Sequence, residues 1–289
     1  MAYHFLYPEK DTTIYSHPKR QTLNTGIVET LSLDSEKGLD NSLYYPSRIL
    51  LQFKDSELTE VLRDRVIGDF SASLKLYATE FSKNLPVSQT IELYPLSESW
   101  SNGSQRYDDH PNFKGIVSNG CSWLYRDNGT DKTPWGTLTA GVTGSFSGST
   151  IPSGGLWYTG SGFESSQAIG ITNNFDLNFN ITNQVQKFSS SLFASQTYPT
   201  GIPNNGFILL RENDVFNNTT DQGCLKYFSV DTHTIFSPSL IIKWDDSSYN
   251  TGSNHNSVLE SGKIQLSINN NRKEYKQSEE KTFRINSRK

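Results

Sequence analysis

Hydrophobic and polar residues alternate along several short segments of the chain. In residues 48–53 this alternation places Ile49, Leu51 and Phe53 on one face. Successive side chains of a β-strand point to opposite faces, so a period of two predicts a strand with one dry and one wet side. Strand patterns also occur at residues 72–77, 91–93, 175–179, 206–210, 225–228 and 239–244.

Two segments add detail to this pattern. Residues 239–244, Ser-Leu-Ile-Ile-Lys-Trp, form the most apolar stretch and are predicted to be a central strand. Residues 55–63 have the best helical pattern and predict one or two turns of helix that cross an end of the sheets. Short strands joined by polar turns, with almost no helix, predict an all-β fold, an antiparallel β-sandwich or jelly roll with long loops.

The alternation disappears between residues 97 and 162, where Gly, Asn, Asp and Pro surround Trp100, Trp123, Trp135 and Trp157. A long segment without a period of its own is unusual in a compact domain and often carries function. Tryptophans in such a segment either anchor the loops on the core or form an exposed aromatic platform. We favour the anchoring role for the segment as a whole.

Composition supports the all-β prediction and narrows the function. Charged residues make up 19% and hydrophobic residues 34% of the chain, so Ser, Thr, Asn and Gly take a large share of the rest. The net charge of −4 argues against nucleic acid as the main partner, because such binding depends on clustered Lys and Arg. The N-terminal residues lack the pattern of a secretory signal, and we expect a protein made in a cytoplasm and not inserted into a membrane.

The chain divides into a domain of residues 1–250 and a C-terminal extension of residues 251–289. The extension begins with a polar linker, and apolar residues then alternate on both sides of an Asn-rich turn, which predicts a β-hairpin. A lone hairpin is marginal in water, so this one is predicted to pack on the main domain, to pair with a neighbouring chain, or both. Its candidate assembly contacts are Ile264, Leu266, Ile268, Phe283 and Ile285.

Few residues suggest chemistry. Asp108, Asp109 and His110 form the densest group of catalytic residue types, but a solvated polar turn explains them better than the paired carboxylates of a hydrolase. Asp231 and His233 are metal-ligand types, which an Asx-type turn with a packed His explains better. We therefore predict no catalytic residue, no cofactor and no assigned metal ligand, with a structural calcium ion held by loop oxygens as an alternative.

Cys121 and Cys224 are the two cysteines of the chain, too far apart for a zinc motif and too few for a disulfide framework. Two buried thiols are predicted. A disulfide between them is the alternative in an extracellular particle, and the sequence does not decide between these two states.

Taken in order, the segments resemble the DNRLRE-type β-sandwich domains, which are also described among carbohydrate-binding modules. The resemblance covers residues 11–244 and depends on the order and spacing of motifs that are weak individually. Residues 228–240 are most similar to members encoded by tailed phages, particularly marine myovirus-like ones, where they are described as virion structural proteins. The motifs are the aspartate-led strand 11–14, Asn24 and Gly26, the arginine-led strand 48–53, the strand 72–77, Ser97 and Trp100, the tryptophan loop, Asn205-Gly206-Phe207, Tyr227-Phe-Ser229, and Pro238 with Leu240.

The resemblance implies a virion protein of the tail, baseplate, neck or capsid surface, located in the virion after assembly in the host cytoplasm. Its partners would be other virion proteins and further copies of itself in a homo-oligomer. The alternative is a carbohydrate-binding or host-adhesion module that contacts a surface polysaccharide. Trp100 and Trp123 match positions shared by the family and are expected to pack inside, so Trp135 and Trp157 are the candidates for an exposed sugar-stacking face. An enzyme, such as a polysaccharide lyase or hydrolase, is the least favoured hypothesis.

Overall fold

The computed structural model describes residues 2–38, 43–66, 69–82, 84–106, 119–136, 145–148, 154–170, 175–192, 201–212, 214, 219–245, 267–269 and 284–286. Strands dominate these residues, and their pairings are antiparallel, so the predicted all-β sandwich is confirmed. The predicted division at residue 250 falls between the described parts and stays a prediction.

The strands and helices are numbered in chain order. The first strands are β1 (Ala2–Leu6), β2 (Pro8–Tyr15), β3 (Thr30–Lys37), β4 (Tyr44–Phe53), β5 (Phe70–Leu76), β6 (Ala78–Phe81), β7 (Ser88–Pro95), β8 (Tyr125–Asp127) and β9 (Thr133–Pro134). The later strands are β10 (Ser145–Gly148), β11 (Leu156–Thr159), β12 (Ser165–Gly170), β13 (Leu177–Asn180), β14 (Phe207–Arg211), β15 (Cys224–Phe228), β16 (Ser239–Trp244), β17 (Ser267–Asn269) and β18 (Arg284–Asn286). The helices are α1 (Asp55–Glu60), which a π-helical turn (Val61–Arg65) continues, and α2 (Thr182–Leu192).

Two sheets form the body of the sandwich. The smaller sheet has four strands in the order β1-β16-β5-β13. The larger sheet has eight strands in the order β12-β7-β14-β4-β3-β15-β6, with β2 also paired to β4. The chain passes between the sheets at Tyr7, which joins β1 to β2, and at Tyr77, which joins β5 to β6. Because β16 lies between β1 and β5, the prediction that residues 239–244 form a central strand is confirmed.

Apolar side chains on the facing sides of the two sheets form the inner core. Leu74 and Ile242 of the smaller sheet and Leu51 of the larger sheet belong to this core and are fully buried. Burying one such side chain contributes about 1.5–3 kcal/mol, so this set is the main source of stability. The other face of β5 carries the partly exposed Ser73 and Lys75, which gives this strand the predicted dry and wet sides.

At its central strands β4 and β14, the larger sheet is also buried on its outer face. Ile49 and Leu51 of β4 lie in the inner core as predicted, but Arg48 and Leu50 on the opposite face are buried too. Loops from the tryptophan-rich segment cover this face and form a second, outer core. The prediction of a wet side is therefore wrong for β4, because a loop layer without alternation of its own takes the place of solvent.

The short helix predicted after β4 is confirmed. Helix α1 and the π-helical turn occupy residues 55–65, and Leu58 and Val61 contribute to the inner core. Val66 ends this segment in an extended conformation. The helical turns therefore lie against one end of the sandwich, next to the point where β1 leads into β2.

Helix α2 is an addition to the elements predicted from the sequence. Val185 and Phe188 project from it into the inner core. Just before it, the backbone N–H of Thr182 donates to the side-chain oxygen of Asn180 at 3.2 Å, which is an Asx turn that leads into the helix. An Asn just ahead of apolar residues three or four apart is a helix signal, but the polar residues around it make that signal weak.

Strands β17 and β18 pair with each other, with Ile268 opposite Ile285. Such a pair agrees with the predicted C-terminal hairpin, although each strand is only three residues long. Among the described residues, the two strands form a separate sheet. The other three predicted contacts, Ile264, Leu266 and Phe283, lie outside the described residues.

Candidate interaction surface

The tryptophans of the loop segment are buried in the outer core. Trp135 is 8% exposed and Trp157 is 7% exposed, and the indole N–H of Trp135 donates to the backbone oxygen of Ser122 at 2.9 Å. The prediction that these two indoles are exposed is therefore wrong. Stacking on a sugar requires an open aromatic face, and these faces pack against protein instead. The anchoring role applies to them as it does to Trp100 and Trp123.

Arg48 lies at the centre of the outer core, with its side chain 4% exposed. Its guanidinium lies near two indoles, 4.6 Å from the ring centroid of Trp123 and 5.0 Å from that of Trp157. Its Nε donates to the Asp214 carboxylate at 2.5 Å, and a terminal N–H donates to the Gly154 carbonyl at 2.7 Å. A buried charge requires a partner and hydrogen bonds of this kind. We assign this group a structural role.

The Asn-x-Gly motif of the family resemblance holds the loop layer in place. The buried amide of Asn24 donates to the backbone oxygens of Asn102 at 2.7 Å and Cys121 at 2.9 Å. Its side-chain oxygen accepts from the backbone N–H groups of Gly26 at 3.1 Å and Gln105 at 3.3 Å. A Cβ atom at Gly26 would lie 2.2 Å from the Asn102 carbonyl oxygen, so this close approach requires glycine.

Two further motif residues also have structural roles. The indole N–H of Trp100 donates to the backbone oxygen of Asn205 at 3.0 Å. Gly206 has a φ of 88°, and a Cβ atom there would lie 2.1 Å from the Leu51 carbonyl oxygen, so glycine lets β14 start close to β4. These motifs therefore hold the scaffold together.

Of the candidate catalytic and metal-binding residues, Asp108, Asp109 and His110 lie outside the described residues. Burial raises the pKa of Asp231 above its usual value. Within the described ranges, no group of three or more His, Cys, Asp or Glu is placed to hold a metal ion.

Both cysteines are free thiols. Cys121 is buried in the outer core, and this burial raises the pKa of its thiol. Cys224 is partly buried beside Asp34, and its burial, followed by the neighbouring carboxylate, raises its pKa to about 12. Thiols with such pKa values stay protonated at neutral pH and are poor nucleophiles. The predicted pair of thiols is confirmed, with Cys224 less buried than expected.

Strand β1 and the residue that follows it carry three of the exposed large hydrophobic side chains of the described residues. It is an edge strand that pairs, within the described part of the chain, only with β16. Tyr3, Phe5 and Tyr7 are 63%, 44% and 53% exposed, and the rings of Tyr3 and Phe5 meet edge to face at 5.4 Å. An edge strand has unpaired backbone groups, and another strand can add to it.

A cleft of about 360 Å³ lies where β1 leads into β2. Residues 4–9 form one wall, and α1 with Val61 forms the other. The cleft exists because Pro8 pairs with Phe53, so that α1 begins where the chain turns from β1 into β2. We refer to this surface, together with the exposed aromatic side chains of β1, as the β1 cleft. Charged residues on its rim are Glu9, Lys54, Glu57 and Glu60.

The β1 cleft is formed by residues that the sequence patterns did not single out. Tyr3, Phe5 and Tyr7 alternate with His4 and Leu6, which is a period of two with aromatic residues on one face. That signal predicts a strand. It does not predict an edge, because the position of a strand in a sheet depends on residues far away in sequence.

No protein-family model matches the chain, and no curated protein matches it. The resemblance to DNRLRE-type domains therefore depends on the motifs alone. No helix among the described residues is long and apolar enough to span a lipid bilayer. The β1 cleft is the candidate functional site that the geometry of the described residues supports best.

Proposed function

We propose that this chain is a structural component of a phage virion that acts through protein–protein contacts and not through catalysis. The β1 cleft is the observation that carries this proposal. It combines an open strand edge with exposed aromatic side chains and a cleft at its side. Such surfaces bind other polypeptides by strand addition, with the backbone giving affinity and side-chain pockets giving specificity.

The interior of the molecule supports a scaffold role. Buried polar groups such as Arg48 and Asn24 are used to hold loops on the sheet. The residues of the phage-type resemblance, including Trp100 and Gly206, serve the same purpose. A scaffold of this kind keeps an edge strand in a fixed position for a neighbouring protein.

The carbohydrate-binding alternative has lost its proposed contacts. Trp135 and Trp157 are buried, so neither indole presents a face to a sugar. The remaining exposed aromatic residues lie along a strand edge, where polypeptide is the better match. We therefore favour the virion hypothesis over host-polysaccharide binding.

Mass spectrometry of purified phage particles tests the proposal. We expect the chain to stay with the particles through density-gradient centrifugation and high-salt washing, in a fixed ratio to the other virion proteins. Its absence from washed particles would contradict a virion role.

A substitution in the β1 cleft tests the proposed contact surface. Phe5→Asp should reduce incorporation into particles, because it places a charge on an apolar contact. Val87→Asp is the matched control, since Val87 is 76% exposed and lies beside β12, at an edge of the larger sheet. Val87→Asp should alter the free energy of unfolding by less than about 0.5 kcal/mol, and Phe5→Asp by about 1 kcal/mol, because it also loses the ring contact with Tyr3. Thermal unfolding verifies that both variants remain folded. Equal incorporation of both variants would exclude the β1 cleft as the contact.

A further inference from the structure

The paired strands β17 and β18 require a second surface. Ile268 and Ile285 are opposite each other in the register, so they share one face of the pair. Ile264, Leu266 and Phe283 continue the same alternation in sequence. A two-stranded sheet is marginally stable at best in water unless a hydrophobic face packs against further structure. The C-terminal strands therefore need a partner surface that accepts an apolar face.

The charges of the two parts of the chain are complementary. Residues 251–289 contain eight Lys or Arg and four Asp or Glu, a net charge of +4, whereas residues 1–250 contain 18 and 26, a net charge of −8. The rim of the β1 cleft has the same sign as the body, with three Glu against one Lys. Complementary charges steer partners together and disfavour wrong ones.

The path of the chain allows the C-terminal strands to reach a neighbouring molecule. Trp244 is paired with Ala2, so the chain leaves β16 beside β1. Residues 246–266 would span up to about 70 Å when extended. Among the described residues, β17 and β18 pair only with each other, although the cleft of the same chain is within this reach. This reach also includes the cleft of a second copy, and exchange between copies is the arrangement that suits a symmetric assembly of virion subunits.

We propose that the β1 cleft receives the β17–β18 segment of a second copy of this chain. The inference rests on the proposed function, since both use the β1 cleft as the contact surface. The apolar face of the added strands packs on the aromatic residues of β1, and basic residues of the extension lie near Glu57 and Glu60. A reciprocal exchange gives a closed dimer, and a one-way exchange gives a ring or a row of copies.

Light scattering after size-exclusion chromatography of the full-length chain tests this inference. The unmodified chain is expected to form dimers or larger assemblies. Reversing the cleft charges with Glu57→Lys and Glu60→Lys, or the tail charges with Lys281→Glu and Arg284→Glu, should weaken association about tenfold or more. Glu164→Lys reverses an exposed charge that does not line the cleft and should leave association unchanged.

Mixing the two reversed variants separates exchange between copies from docking within one chain. The two tail reversals bring the net charge of residues 251–289 from +4 to 0. In the mixture, the basic tail of the cleft variant meets the acidic cleft of the tail variant, and the two reversed positions of the other tail meet the two reversed positions of the other cleft. Association should therefore return to nearly the unmodified level. If each variant alone stays monomeric and the mixture does too, exchange between copies is excluded. Far-UV circular dichroism and thermal unfolding of each variant verify that the body remains folded.

The results distinguish a failure of this inference from a failure of the proposed function. The second copy is excluded as the partner if the full-length chain is monomeric at every concentration but is present in washed particles, and if its incorporation depends on Phe5. A different virion protein would then be the partner of the β1 cleft. If self-association changes with the charge reversals as expected but the chain is absent from particles, this inference is supported and the virion role is overturned.

Discussion

The two faces of the larger sheet are both buried at its central strands β4 and β14, but different kinds of contact bury them. On the inner face, aliphatic side chains such as Leu51 and Leu209 meet those of the smaller sheet, for example Leu74. On the outer face, large aromatic side chains and the guanidinium of Arg48 meet a layer of loops. This difference shows which contacts bury a sheet under a layer of strands and which contacts bury it under a layer of loops.

A covering sheet satisfies its own backbone hydrogen bonds, whereas a covering loop does not. Buried N–H and C=O groups without a partner cost free energy, so a buried loop needs partners from side chains. Asn24 supplies four such hydrogen bonds, and Asn128 supplies another by donating to the Thr22 carbonyl at 3.1 Å. The outer core should therefore be sensitive to loss of polar groups, and the inner core to loss of apolar volume.

The largest effect is expected for Arg48→Met. It removes the cation but leaves Asp214 as a buried carboxylate, so the free energy of unfolding should fall by about 3–5 kcal/mol. Urea denaturation measures this change. The double variant Arg48→Met with Asp214→Leu should recover much of the loss, because it removes both charges of the pair.

Arg106→Ala is the control for that prediction. Arg106 pairs with Glu29 at 2.8 Å, but their side chains are 49% and 42% exposed, so loss of the pair should cost less than about 1 kcal/mol. Equal losses for Arg48→Met and Arg106→Ala would show that burial of the Arg48 ion pair does not matter. The proposed contrast between the two faces would then be wrong.

On the inner face, Leu74→Ala is expected to lower the free energy of unfolding by about 3 kcal/mol, since it leaves a cavity between the sheets. The matched control is Ile241→Ala, an aliphatic side chain of β16 that is only partly buried. Its loss should cost about 1 kcal/mol. Chemical denaturation of both variants is the measurement, and similar losses would contradict a core confined to the facing sides of the sheets.

The inner core could be predicted from the sequence because its rule is local. A period of two in residues 48–53 and 72–77 places Ile49, Leu51 and Leu74 on buried faces without knowledge of their partners. The outer core follows no such rule. Arg48 and Asp214 are 166 residues apart, and only the folded chain brings them together.

One local sign of the outer core was present in the sequence. Leu50 interrupts the alternation of β4, and residues 207–210, Phe-Ile-Leu-Leu, are apolar without a break. Continuous apolar runs are typical of strands buried on both faces. Such runs predict that a layer exists, but not that loops with Trp135 and Trp157 form it. For the same reason, alternation in β1 could predict a strand, whereas its place at an open edge could not be predicted.

Asn24→Ala is a smaller test that separates the two faces by location. It removes the amide that binds the carbonyls of Asn102 and Cys121, and the expected loss is about 2 kcal/mol. Hydrogen exchange should accelerate in the loops of the outer layer while β5 and β16 keep their protection. Asn119→Ala, which removes two exposed hydrogen bonds with Ser104, is the control and should cost less than about 0.5 kcal/mol. A uniform loss of protection in both sheets would show that the loop layer and the sandwich unfold as one unit.

The smallest expected effect concerns Asp11, a polar residue paired with the inner-core residue Leu51 in the register of β2 and β4. Burial, and to a lesser degree the charge of Asp231, raises the pKa of Asp11 to about 7, although the Val230 N–H donates to it at 2.6 Å. The folded state thus holds a proton that the unfolded state releases near pH 3.8. The stabilisation from this protonated group is full below that pH and is lost as the pH rises through about 7.

Asp11→Asn removes this titration while keeping an oxygen that can accept from Val230. At about pH 8 the variant should be more stable than the unmodified chain by about 1–2 kcal/mol, because it buries no charge. The gain is no larger because the amide N–H groups of the new Asn side chain have no partner. Near pH 4 the advantage should disappear, since Asp11 is then neutral in the folded state. Urea denaturation at both pH values measures the difference. If the two chains keep the same difference in stability at both pH values, Asp11 does not titrate in this range. In that case the inner face accepts a buried carboxyl group without a change in its protonation, as the outer face accepts the paired charge of Arg48.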